Sequence, residues 1–161
     1  MAGERFVGAD ISSTDFSGRD LSGASFYGAN CSACNFTGCI LVGADFYGAN
    51  CTNANFTRAN LGGARLLGAD FSPVSAPDAN FAGVNCIGAD FHESDLQRAI
   101  FDGSNLRGAD FHQVNMQRGS MQNATCRGTD LRNADLSDVV ATGANFQGAN
   151  LSGANTTNMR R

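Results

Sequence analysis

Gly43-Ala44-Asp45-Phe46-Tyr47-Gly48-Ala49-Asn50 begins to repeat itself after five residues, and so does almost everything around it. All twelve phenylalanines, Phe6 through Phe146, fall at numbers that leave a remainder of one on division by five. Of the 31 such positions from Phe6 to Thr156, 28 hold Phe, Leu, Ile, Met or Cys. Two places earlier lies a second apolar class, Ala at 18 of 31 positions, as in Ala24, Ala109 and Ala149. Asp or Asn stands between the two in 22 of 31 units, and eighteen of the twenty glycines come two places after the large residue. The unit is Ala-(Asp/Asn)-(Phe/Leu)-X-Gly.

A period of five fits neither the 3.6-residue repeat of an amphipathic helix nor the two-residue alternation of an ordinary strand. Within a unit the two apolar residues are two apart, which is local extended alternation with both pointing inward. The X-Gly pair that follows is a turn, glycine supplying the positive φ. Short extended pieces joined by turns every five residues wind into a coil with pentapeptide faces. The alternation of large and small inward residues fits a narrow core that cannot hold two large side chains at every level. Successive coils should lie about 4.8 Å apart, the spacing of hydrogen-bonded strands.

On these units, from about Arg5 to Asn155, the chain resembles the pentapeptide-repeat proteins. The resemblance implies an all-β fold, a right-handed quadrilateral parallel β-helix with about 20 residues per coil and seven to eight coils. Residues 1–161 are expected to form one such domain. Its core is expected to hold Phe6, Phe16, Phe26, Phe36, Phe46, Phe56, Phe81, Phe91, Phe101 and Phe111.

Ser72-Pro73-Val74-Ser75-Ala76-Pro77-Asp78 holds both prolines and no glycine. Proline lacks the donor that coil-to-coil pairing uses. Two readings compete. If the five-residue count is unbroken, Ala76 is a weak face and the phenylalanines change from one pair of opposite faces to the other. If about five residues near Pro73–Pro77 bulge out, the phenylalanine columns run on unchanged, with Phe91 above Leu66 and Phe81 above Phe56. Continuous columns favour the second reading, and a loop at Pro73–Pro77 is expected.

Composition excludes several functions. The net charge is −4, without a single lysine, which disfavours direct contact with nucleic acid phosphates. No apolar run approaches the roughly 20 residues of a membrane span. Met-Ala-Gly-Glu-Arg-Phe lacks the layout of a secretory signal, so a cytoplasmic protein is expected. Cys31, Cys51, Cys86 and Cys126 occupy large inward slots, and Cys34 and Cys39 small ones; all six are expected to be buried thiols. Cys31 and Cys51 are neighbours in successive coils, so a bridge between them is geometrically conceivable. His92, His112 and Arg132 share one outward column, expected to be a solvated polar row with no carboxylate forced beside it. Ten of thirteen aspartates sit where Asn serves equally, which general acid–base catalysis would not tolerate. No enzyme, cofactor or metal is expected.

The outward positions say more. Val7, Tyr27, Tyr47 and Leu67 occupy one X column and form a candidate apolar stripe for a protein partner. Arg98 with Arg118, and Arg107 with Arg127, are spaced to stack, while Arg19 falls in a small inward slot and should distort or open the first coil. A binding or scaffold module is expected, as a monomer or as an end-to-end or side-by-side homodimer. The resemblance adds an alternative, since some relatives mimic DNA and bind DNA gyrase, conferring quinolone resistance. The weak net charge and the mixed C-terminal half, 7 Arg against 8 acids over residues 81–161, count against it.

Overall fold

The computed structural model describes residues 3–161. Parallel bridges join residues twenty apart without interruption, from Arg5 with Ser25 to Val140 with Arg160. Four pentapeptides therefore close one coil of a right-handed quadrilateral β-helix.

The sequence pattern maps onto the backbone slot by slot. The large residue and the small residue three places on close a turn, as where Ala49 N–H donates to the Phe46 carbonyl at 3.0 Å. The third position of every turn but the one at Pro73 has a positive φ, near +60° in most, at eighteen glycines and at thirteen other residues. A positive φ there with none at the second position describes a type II turn. Gly48 shows why glycine dominates: its φ is +60°, yet an added Cβ would meet nothing within 4 Å. The requirement is dihedral, not steric.

The Asp/Asn slot has its own cause. The X residue's N–H finds no carbonyl in the coil-to-coil ladder, and the side chain two places back takes it. Tyr47 N–H donates to Asp45 Oδ1 at 3.1 Å, and Thr57 N–H to Asn55 Oδ1 at 2.9 Å. Asp and Asn both carry that oxygen, so they interchange.

Inside, each of the first five coils holds two phenylalanines on opposite faces, with two smaller residues between them. Phe46, Cys51, Phe56 and Leu61 make one level; Cys86, Phe91, Leu96 and Phe101 make another, all buried. Phenylalanines stack along their columns, Phe26 on Phe46 at 4.5 Å and Phe81 on Phe101 at 4.6 Å, and meet edge-on across the core, Phe91 to Phe101 at 5.8 Å. Phe6, in the first coil, is only partly buried.

The expected loop at Pro73–Pro77 is absent. Asn55 pairs with Ser75 and Ser75 with Asp95, in the common register, and Ala76 is fully buried. The phenylalanine columns do change faces, at the level Leu66, Phe71, Ala76, Phe81. Phe71 stacks on Phe56 at 5.0 Å and meets Phe46 edge-on at 5.8 Å. Ala76 gives up the volume that lets Phe71 reach across, so the level keeps two phenylalanines and its packing. Pro77 costs nothing because it holds an X position whose N–H the ladder never uses. Pro73 sits in the third turn position and departs from the pattern; the Ser72–Pro73 peptide is cis. Asn53 N–H donates to the Pro73 carbonyl at 2.7 Å where the neighbouring units use the X carbonyl. The turn's usual closing bond is replaced by Ser94, whose Oγ donates to the Phe71 carbonyl and accepts Val74 N–H, both at 2.9 Å.

Candidate interaction surface

With the register unbroken, the apolar column is longer than the sequence suggested. Val7, Tyr27, Tyr47 and Leu67 are followed on the next coil by Ile87. The rungs are tied together by Gly28 N–H to Tyr47 O at 2.9 Å, Gly48 N–H to Leu67 O at 3.1 Å and Gly68 N–H to Ile87 O at 3.1 Å. Val7, Tyr27, Tyr47 and Ile87 are 38–48% exposed, and Leu67 is half-buried. The two tyrosine rings lie parallel at 5.1 Å. Ile87 escaped notice because a five-residue loop would have put His92 in its place. Counting on by twenty from Leu67 would have found it.

Two features frame the stripe. Its inner neighbours include Asp45 and Arg65, an ion pair at 3.2 Å that leaves that flank locally neutral. On the other side runs a row of glycines from Gly8 to Gly148, bare of side chains, where a Cβ on Gly28, Gly48 or Gly68 would meet nothing. Other exposed apolar residues, Ile40, Val42 and Ile100, lie outside this column.

The histidine column differs from expectation. Asp90 and Asp110 do lie beside His92 and His112, Nδ1 to Oδ1 at 2.7 and 2.8 Å, and the rings stack at 5.1 Å. Arg132 likewise holds Asp130 at 2.6 Å. The carboxylates belong to a column, Asp70, Asp90, Asp110 and Asp130, of four successive coils. The signal was present, since the Asp slot precedes X by two residues. Asp90 raises the pKa of His92 by accepting its proton in a hydrogen bond. Among the described residues, no group of three or more His, Cys, Asp or Glu is arranged to hold a metal ion.

The remaining candidates are structural. All six cysteines are buried and free. Cys34 and Cys39 donate to the carbonyls of Ile11 and Phe16 at 3.0 and 2.8 Å, and burial pushes Cys34 up to about 11 and Cys126 to about 12. Such thiols are poor nucleophiles. Arg98 is held by Asp78 in a two-point ion pair. Arg19 does not distort the first coil: its N–H closes the turn on the Phe16 carbonyl at 3.1 Å, and its carbonyl accepts Ile40 N–H from the next coil at 3.0 Å. Its guanidinium turns over the Phe16 ring at 5.3 Å and pairs with Glu4 at 2.7 Å, covering that end of the core. No pocket is present among the described residues, and no helix is long and apolar enough to cross a membrane.

Two solved structures share this geometry. Two trypsin-treated variants of QnrB1, a plasmid-mediated fluoroquinolone resistance protein, superpose with TM-scores of 0.59 and 0.56. They are 20% and 21% identical, each alignment covering 98% of this chain and 91% of the other. A pentapeptide repeat protein of the Arabidopsis thaliana thylakoid lumen is 36% identical over 68% of this chain and 69% of its own, with a TM-score of 0.34. No curated protein matches in sequence. The family model for pentapeptide repeats matches in 8 copies over residues 5–43, 39–72, 78–118 and 120–155, passing over the proline-bearing residues 73–77, residue 119 and the first four and last six residues. The chain belongs to the pentapeptide-repeat family.

Proposed function

We propose that this protein is a non-enzymatic interaction or scaffold module of the cytoplasm, and that its contact surface is the column Val7, Tyr27, Tyr47, Leu67 and Ile87. The observation that carries this reading is a continuous apolar row over five coils of a rod whose other X columns are mostly polar. Contiguous exposed apolar surface of this kind marks contact sites more often than isolated residues do. Chemistry has little to work with: the thiols are buried, and among the described residues no cavity gathers acid and base groups. The test is a Tyr27→Ser/Tyr47→Ser double variant, compared with the parent by light scattering and by partner capture. A lost complex supports the stripe; unchanged mass and unchanged capture refute it.

A second reading, DNA mimicry directed at DNA gyrase, has one observation in its favour. Asp70, Asp90, Asp110 and Asp130 make a carboxylate row along one face. The row is partly neutralised by His92, His112 and Arg132. A supercoiling assay at stoichiometric excess decides it: inhibition or protection of gyrase supports mimicry, and no effect removes it.

A further inference from the structure

The column that carries the apolar stripe does not end at Ile87. Its next two rungs are Arg107 and Arg127, tied on by Gly88 N–H to Arg107 O and Gly108 N–H to Arg127 O, both at 3.1 Å. Both side chains are exposed. The arginines that do form ion pairs are Arg19, Arg65, Arg98 and Arg132; among the described residues Arg107 and Arg127 have no carboxylate within bridging distance. One straight column is therefore apolar over five coils and cationic over the next two. Beside it the glycine row continues through Gly108 and Gly128, where an added Cβ would meet nothing. The surface is a shelf with a chemical polarity.

We propose that this column binds an amphipathic helix of a partner protein, apolar along most of one face and acidic at one end of that face. The inference rests on the stripe being the contact surface. Spacing selects a helix over an extended strand. Rungs recur about every 4.8 Å. A helix presents residues to one face every three or four positions, about 4.5–6 Å apart, which brackets that value. A strand returns to the same face only about every 6.7 Å and loses step within two rungs. Six intervals between Val7 and Arg127 span about 29 Å, or roughly 19 helical residues. About thirteen of those would face the apolar rungs, and the last turn or two would set Asp or Glu against the arginines.

Charge also argues against a second copy in this role. Another copy's apolar column ends in the same two arginines, so it offers no acids to pair with them. The aspartates around the corner, Asp90 and Asp130, are already engaged by His92 and Arg132.

The probe is a fluorescein-labelled synthetic helix of about 20 residues, with Leu at every third or fourth position and Glu on the same face of its last two turns. Anisotropy should show saturable binding that weakens with added salt. Arg107→Glu/Arg127→Glu should weaken it by about tenfold or more, and a peptide with Lys in place of Glu should restore binding to that variant. Circular dichroism of each variant checks that the coil is intact, and Arg107→Gln/Arg127→Gln gives a milder loss without charge reversal. Equal binding of a composition-matched scrambled peptide would overturn the proposal, as would a dimer formed through the stripe. If the peptide fails to bind while Tyr27→Ser/Tyr47→Ser still abolishes partner capture, the helix assignment falls and the stripe stands. If neither responds, both fall.

Discussion

At the scale of single residues, the five polar side chains buried in the small inward slot obey one rule. Cys34, Cys39, Ser94, Ser104 and Thr129 each donate to the carbonyl 23 residues earlier, from Ile11, Phe16, Phe71, Phe81 and Leu106 respectively. A hydroxyl or thiol replaces alanine without leaving an orphan because the preceding coil offers a carbonyl within reach. Ser94 does more than the others. Its oxygen also accepts Val74 N–H, so it stands in for the turn bond that the Pro73 unit lacks. Ser94→Ala therefore strands a buried donor and should cost about 1–3 kcal/mol. Ser104→Ala removes only a second donor from the Phe81 carbonyl, which keeps Val84 N–H at 3.3 Å, and should cost about 0.5–1.5 kcal/mol. Urea midpoints of the two variants at equal m-value give the comparison. A Ser94→Ala loss no larger than that of Ser104→Ala would show that Val74 N–H finds another partner.

The coil is the element that matters, and its rule is volume per level rather than continuity of columns. Expecting phenylalanine to follow phenylalanine led to a loop at Pro73–Pro77; what is conserved is two phenylalanines on opposite faces. Ala76 lies fully buried where the pair changes faces, between Phe56 below and Leu96 above on its own column. Ala76→Leu should thus be destabilising by about 1–3 kcal/mol, because Phe71 already fills the space. An exposed loop would accept the same change within about 0.5 kcal/mol. Thermal unfolding of this variant distinguishes the two, and an unchanged midpoint would contradict a packed Ala76. The period, both inward classes and the Asp/Asn slot were legible because each follows from a local backbone need repeated some thirty times. What could not be read locally was the fate of a single non-repeating unit. That depended on Ser94, one coil away, supplying two hydrogen bonds. The uncertainty then spread to the surface: a displaced register cut the apolar column at Leu67 and hid Ile87, Arg107 and Arg127 as its continuation.

Over the whole molecule, stacking identical slots places like charges one coil apart, and the chain relieves this by pairing each carboxylate locally. Asp70, Asp90, Asp110 and Asp130 are engaged by Ser72, His92, His112 and Arg132. This arrangement makes stability depend on pH in a defined direction. Asp90 raises the pKa of His92, with weaker help from Glu93 and Asp110, while partial burial opposes it. A group whose folded pKa is raised stabilises fully below its unfolded value, about 6.5 for histidine, and loses that contribution as pH climbs through the folded value. Arg98 and Arg132 lower the pKa values of Asp78 and Asp130 by hydrogen bonding to the carboxylates. Their contribution is present above the ordinary aspartate value, about 3.9, and fades as pH falls through the depressed ones. Stability should therefore peak between about pH 4 and 6.5 and decline toward pH 8. The decline should be modest, because these pairs are solvent-exposed and screened by salt. His92→Asn should flatten the fall between pH 5.5 and 8 while leaving the acid limb in place. Thermal midpoints of both proteins across that range read the effect. A parent protein whose midpoint rises from pH 5.5 to 8 would show that the contact with Asp90 does not favour the protonated form of His92 in the folded coil.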